Sequence, residues 1–144
     1  MKPENLEILM VEDNPADVLL TKEAFREGNI AGRLNVVKDG VEALAYLRRE
    51  GPYGTACRPD LIFLDLNLPR KNGQEVLQEI KTDENFRKIP VIVLTTSSSE
   101  SDIARSYHHY ANAYVVKPVD MDQFNDALKC IDRFWRRTAT LPPK

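Results

Sequence analysis

The stretch DLIFLDLNLP, Asp60 to Pro69, decides how this chain is read. Leu61, Ile62, Phe63 and Leu64 form a short, unbroken apolar run, the pattern of a strand covered on both faces. Asp65 stands where the run ends and is followed by Leu66, Asn67 and Leu68. Keeping a lone carboxylate ionised beside a hydrophobic core is costly unless a cation or hydrogen bonds offset the lost water. The rest of the sequence has to supply a partner for Asp65.

Four further runs are strand-sized, and several are nearly all apolar: Glu7–Val11, Leu34–Val37, Val91–Leu94 and Ala113–Val116. Helix-start signals lie between them. Asn14 can cap a helix with Pro15 at its first position. Asp39 with Glu42, Asn72 with Glu75, and Asp120 with Gln123 have capping-box spacing. Apolar residues then recur with helical period, as in Val76, Leu77 and Ile80, or Phe124, Leu128, Ile131 and Trp135. The segment from about Glu100 to Tyr110 has the poorest apolar stripe. Regular β-α alternation predicts an α/β fold, a mostly parallel sheet with right-handed crossovers and helices on both faces.

A length of 144 residues suits one domain around a single core. The formal net charge of -2 leaves no overall basic field for nucleic acid. No apolar run is long enough to span a membrane. MKPENLEILMVEDN, Met1 to Asn14, has no apolar segment of secretory type. Cys57 and Cys130 lack metal-ligand spacing and are expected to be reduced, so a cytoplasmic protein is expected.

In a parallel sheet all strand C-termini open onto one edge, where such sheets bind ligands. Here the first strand ends in Glu12 and Asp13, the third in Asp65, the fourth in Thr95 and Thr96, and the fifth in Lys117 and Pro118. Three carboxylates against one ammonium leave room for a divalent cation. An all-oxygen set suits Mg²⁺. Asp13 and Asp65 are expected as direct ligands with the Asn67 carbonyl as a third, and Glu12 is expected to act through a coordinated water. Metal and lysine would keep Asp65 ionised, and an ionised carboxylate can attack phosphorus. Lys117 and the Thr95 hydroxyl would then bind other phosphoryl oxygens.

The motifs LMVEDN, LIFLDLNLP, VIVLTT and AYVVKP resemble those of response regulator receiver domains, in order and spacing, from about Glu7 to Phe134. The resemblance implies a flavodoxin-like (βα)5 fold with strand order 2-1-3-4-5 and phosphorylation of Asp65 by a partner histidine kinase. It implies that Thr95 and Tyr114 act as a switch pair and that the Lys117–Pro118 peptide is cis. A receiver unit over residues 1–135 and a short C-terminal extension, 136–144, are expected. The Gly51–Pro59 loop, LNLPRKNGQEVL and the ending FWRRTATLPPK are similar to single-domain regulators partnered with bacterial phytochrome kinases.

Two other functions fit less well. An aspartate-nucleophile phosphatase usually has a second acid two residues on, where Asn67 stands. A phosphorylation-independent interaction module would normally have lost Asp65, Asp13 or Lys117. A phosphoacceptor with no enzymatic turnover is therefore expected. The resemblance implies that Asn67 and Ser97 flank the phosphoryl group as a gate for attacking water. Ser97, small and uncharged, is expected neither to clamp that water strongly nor to seal the site. Output from the phosphoacceptor would run through a downstream protein target or a phosphotransfer protein, with no part for nucleic acid. Arg48, Arg49, Arg70 and Lys71 read as solvated surface, and Arg133, Arg136 and Arg137 as complements to a helix dipole. The apolar width of the last helix, ending in Phe134 and Trp135, predicts a symmetric homodimer through the fourth helix, fifth strand and fifth helix, with the C-terminal arm lying against the partner.

Overall fold

A computed structural model describes residues 6–143 of the chain. The reading of Met1–Asn14 as lacking a leader, and both outer bounds of the expected 1–135 and 136–144 units, rest partly on residues outside that range. Five parallel strands, β1 (Leu6–Val11), β2 (Gly32–Val37), β3 (Leu61–Leu64), β4 (Val91–Thr95) and β5 (Ala113–Val116), lie in the order β2-β1-β3-β4-β5. The connecting helices are α1 (Pro15–Glu27), α2 (Gly40–Arg48), α3 (Gly73–Thr82), α4 (Glu100–His108) and α5 (Met121–Arg133). The expected α/β architecture and strand order are both present.

Alternation along the central strands divides the core in two. Leu9, Val11, Ile62, Leu64, Val91 and Val93 face α2 and α3, where they meet Leu44, Leu47, Val76, Leu77 and Ile80. Ile8, Met10, Leu61, Phe63, Ile92 and Leu94 face α1 and α5 and meet Ala24, Phe25, Phe124 and Leu128. Each fully buried Leu or Ile contributes roughly 1.5–3 kcal/mol, so these two layers fix the positions of the strand ends.

Edge strand β2 starts two residues before its apolar run. Glu7 lies opposite Arg33 in the ladder. Its carboxylate takes Arg33 at 3.3 Å and the Asn35 side-chain amide at 3.1 Å. Polar cross-strand pairs extend the strand where a hydrophobic pattern cannot show it.

The helix caps follow the sequence closely. Asn14 Oδ1 accepts from the Ala16 amide at 2.9 Å, Asp39 Oδ1 from Glu42 at 2.8 Å, and Asn72 Oδ1 from Glu75 at 3.0 Å. Asp120 differs from the expected box by accepting from Asp122, not Gln123. Helix α4 buries only Ser106. Polar contacts dock it: Gln74 on α3 donates to Ser106 Oγ at 3.1 Å and to the Asp102 carbonyl at 3.3 Å.

The C-terminus departs from the expected layout. After α5 a π-helical turn, Phe134–Thr138, folds the chain back. Trp135 and Leu141 then pack on the chain's own core beside α5. Leu141, Pro142 and Pro143 line a small hollow with Pro59, Ile89 and Pro90, at the sheet edge opposite the strand C-termini. The arm thus already has a bed within its own chain, and a second copy is not needed to cover Trp135. Burying an indole and a leucine nearby recovers apolar area without any association.

Candidate functional site

The β1 and β3 termini lie side by side, because Val11 pairs with Leu64 and the Asp65 amide donates to the Val11 carbonyl at 3.1 Å. Glu12 and Asp65 are therefore buried neighbours, while Asp13 is exposed at the mouth. One oxygen from each of Glu12, Asp13 and Asp65 falls within 4.8 Å of the others. Three hard carboxylate oxygens so close repel one another unless a cation joins them. The set suits a divalent metal ion with oxygen preference. The Asn67 amide donates to Asp65 Oδ1 at 3.3 Å and holds the loop that carries its carbonyl.

Lys117 enters from the end of β5. Its amide donates to the Thr95 carbonyl at 2.7 Å, which fixes the main chain. Its almost buried ammonium donates to Glu12 Oε1, to Asp17 Oδ2 at 2.8 Å and to Asp65 Oδ2 at 3.4 Å. Burial alone would depress this lysine, but the hydrogen bonds it donates to Asp17 and Glu12 and the charge of Asp65 raise it above the ordinary lysine range. Glu12 is pushed up to about 7 by burial, with Asp65 adding to the rise and Lys117 opposing it. The site thus holds excess negative charge in a poorly solvated place.

The Thr95 side chain is fully buried and its hydroxyl has no hydrogen-bond partner among the described residues. Such a group costs about 1–3 kcal/mol unless something binds there. Tyr114 packs against the α2–α3 core layer and donates its hydroxyl to the Ser97 carbonyl at 2.9 Å. Ser97 Oγ in turn donates to Asp102 Oδ2 at 2.6 Å. A continuous set of hydrogen bonds therefore runs from β5 through the β4–α4 loop into α4 and, by way of Gln74, into α3. The hydroxyl of Ser97, expected beside the phosphoryl group, is engaged by Asp102 in the first turn of α4.

Two glycines set the backbone around Asp65. A Cβ on Gly73 would meet the Asp65 carbonyl oxygen at 2.3 Å, and one on Gly40 would meet the Lys71 carbonyl oxygen at 2.1 Å. Only glycine lets the starts of α2 and α3 close on the Asp65–Lys71 segment. Arg70 adds a fork to Asp39, with N–O distances of 3.0 and 3.1 Å. It ties the same segment to the cap of α2. Although burial works against it, Arg70 holds the Asp39 carboxyl below the usual carboxylate range. Arg70 is thus not simply solvated surface, because a planar guanidinium matches a nearby carboxylate with two bonds. Arg136, expected as a complement to a helix dipole, likewise forks onto Asp132.

The expected residues Glu12, Asp13, Asp65, Asn67, Thr95 and Lys117 all come to one edge of the sheet. Tyr114 reaches that edge through the Ser97 carbonyl. One expectation is corrected: no cis peptide occurs among the described residues, so Lys117–Pro118 is trans. The two isomers of an X–Pro bond differ by only about 0.5–1 kcal/mol, so local packing selects. In the trans form the Lys117 amide and ammonium already have all the partners named above. Asp17 escaped the sequence reading. Its signal, an acidic residue four places after Asp13, is indistinguishable from an ordinary helix-start acid.

Comparisons with known proteins agree with this geometry. A family model described as response regulator receiver domain matches residues 8–129. Response regulator Rcp1 of Synechocystis sp. is 43% identical over 135 residues, which span 94% of this chain and 92% of Rcp1. The crystal structure of the phosphorylated cyanobacterial phytochrome response regulator RcpA superposes with a TM-score of 0.91 at 49% identity, covering 96% of this chain and 99% of RcpA. The Mn²⁺-bound form of Rcp1 gives 0.88 at 42% identity, with the same coverage of both chains. Sheet order, acidic cluster, buried hydroxyl and lysine agree with the match over most of the chain's length, and the chain belongs to the response regulator receiver domain family.

Proposed function

We propose that Asp65 is the phosphoacceptor of this receiver and that its donor is a phosphohistidine on a partner histidine kinase. The observation that carries the reading is the buried, unpartnered Thr95 hydroxyl at the same sheet edge as Asp65 and Lys117. An Asp65 oxygen attacks phosphorus, the phosphorus–nitrogen bond breaks, and the imidazole leaves with the bonding electrons. Lys117 and the Thr95 hydroxyl then bind oxygens of the transferred group. Asp13, Asp65, Glu12 and the Asn67 carbonyl are the groups to hold Mg²⁺, which when bound supplies positive charge against the transferred oxygens. With Thr95 drawn to the phosphoryl group, Tyr114 and its bonds to the Ser97–Asp102 network re-pack, and α4 and β5 change their surface.

The chain stores the phosphoryl group as a signal and passes it on by contact with a downstream protein or a phosphotransfer protein. Its likeness to RcpA and Rcp1 supports a phytochrome-type kinase as partner. The receiver unit is read as residues 1–135, with 136–144 as its extension. A cytoplasmic setting is supported by the free, exposed Cys57 and Cys130. Among the described residues no helix is long and apolar enough to cross a membrane. A symmetric homodimer through α4, β5 and α5 is supported by Tyr107, Val116 and Phe134, large exposed side chains on those elements or at their ends.

The experiment is Mg²⁺-dependent labelling by an acyl phosphate, comparing the wild type with Asp65→Asn. The wild type takes up one stable label and Asp65→Asn takes up none while remaining folded. Equal labelling of the variant, or many turnovers with free phosphate released, contradicts the reading.

A further inference from the structure

Lys117 has three ammonium protons and three carboxylate acceptors, and the acceptor residue has the longest of the three contacts. The bond to Asp17 is 2.8 Å and that to Asp65 is 3.4 Å, with Glu12 closer than either. Asp17 is the third residue of α1 and is rigidly mounted. Its amide faces the Asn14 cap, and its carbonyl accepts from the buried Thr21 hydroxyl at 2.8 Å. It is not part of the Glu12–Asp13–Asp65 carboxylate cluster. Its link to the site is the lysine.

We infer that Asp17 is a positioning residue that draws the Lys117 ammonium toward α1 and so sets how much of its charge Asp65 and a phosphoryl group can use. The inference rests on Asp65 being the phosphoacceptor. An ammonium offers three donors and no more. The one turned to Asp65 reaches it only across 3.4 Å, so closer approach of the ammonium to a phosphoryl group there has to weaken its bond to Asp17 or Glu12. Glu12 is buried, so losing its ammonium would leave a desolvated carboxylate, which is costly. The Asp17 side chain keeps 26% of its surface exposed, so water can replace the lysine there. Asp17 is therefore the partner that yields. Because it sits on α1, its release tells that helix that the site is filled, separately from the Thr95–Tyr114 path to α4. The same carboxylate adds repulsion against any incoming dianion.

This predicts a gain, where loss of a merely structural residue predicts a decline. Beryllofluoride, a phosphoryl mimic, is titrated into the full chain at saturating Mg²⁺ and followed by amide NMR shifts. Asp17→Asn, close in shape but uncharged, should bind it about three- to tenfold more tightly than wild type, the scale set by one charge a few ångströms away in a water-accessible site. Asp17→Glu, which keeps the charge, should stay within about twofold of wild type. Asp17→Ser serves as a second uncharged variant if Asp17→Asn folds poorly, and should tighten binding likewise. In titrations with Mg²⁺ alone, Asp17→Asn should shift the affinity less than about threefold, because a lost metal ligand or its direct support costs about 10- to 100-fold. Unchanged or weaker beryllofluoride binding in the uncharged variants overturns the inference, as does a tenfold loss of Mg²⁺ affinity. A wild type that binds no beryllofluoride overturns the acceptor reading itself and is separable from either result.

Discussion

Gly73 lies against the carbonyl of Asp65, with room for a hydrogen and none for a methyl group: a Cβ there would stand 2.3 Å from that oxygen and 2.5 Å from Leu66 Cα. The start of α3 is thus a wall behind Asp65. Gly73→Ala has to push the wall and the loop apart. The expected cost is about 1–3 kcal/mol, in the range of overpacked interiors, read as a lower urea midpoint. Phosphorylation by an acyl phosphate should slow, because Asp65 no longer faces Lys117 correctly. A variant with wild-type stability and rate would show that the loop gives way freely.

Thr95→Val removes a buried hydroxyl that has no hydrogen-bond partner among the described residues. The resting protein should become more stable, by about 1 kcal/mol. Phosphorylated Thr95→Val should fail to change the environment of Tyr114, seen in its ring NMR signals, because the pull on the hydroxyl is gone. Loss of stability would mean that the hydroxyl already has a role at rest.

The pH dependence of the site turns on Glu12, raised from 4.5 to about 7 mainly by burial. In the metal-free fold it binds a proton that the unfolded chain gives up above pH 4.5. Its contribution to stability is therefore complete below pH 4.5 and is lost as pH rises through 7. Wild type should lose stability relative to Glu12→Gln across that window, in thermal melts without metal. Mg²⁺ has to displace the same proton, so its affinity should fall by up to about tenfold per pH unit below 7. An affinity flat from pH 5.5 to 8 would contradict this.

Much of this was legible from strand ends. Apolar runs and helix signals located the five strands and five α-helices, and the residues at the ends of β1, β3, β4 and β5 formed the site because parallel strands finish at one edge. What stayed hidden depends on approach between distant segments. Asp17 meets Lys117 only because the long lysine side chain reaches from the end of β5 to the first turn of α1. Gly40 and Gly73 read as residues after a cap, and their tight contacts emerge only once α2 and α3 close on the Asp65–Lys71 segment. Arg70 read as solvated surface and Arg136 as a complement to a helix dipole, since a carboxylate partner leaves no periodic trace. Trp135 and Leu141 were misread for the opposite reason: an apolar tail looks the same whether it awaits a second copy or returns to its own core.

The proposed homodimer therefore rests on the exposed side chains of α4, β5 and the end of α5, not on the tail. Sedimentation of the full chain should show a monomer–dimer equilibrium that Phe134→Glu shifts to monomer, because a buried charge at a two-fold interface is placed twice. Phosphorylation should change the equilibrium constant, since Tyr114 adjoins that face. A chain that stays monomeric at high concentration, phosphorylated or not, rules the dimer out.

The central claim is that one carboxylate, that of Asp65, carries the phosphoryl group. Borohydride reduction of the phosphorylated protein followed by peptide mapping tests it most directly, because an acyl phosphate is reduced to the alcohol and its position is recorded permanently. The account predicts homoserine at position 65 and at no other aspartate. Reduction at Asp13 or Asp17, or a protein with no reducible acyl phosphate after Mg²⁺-dependent labelling, would contradict it.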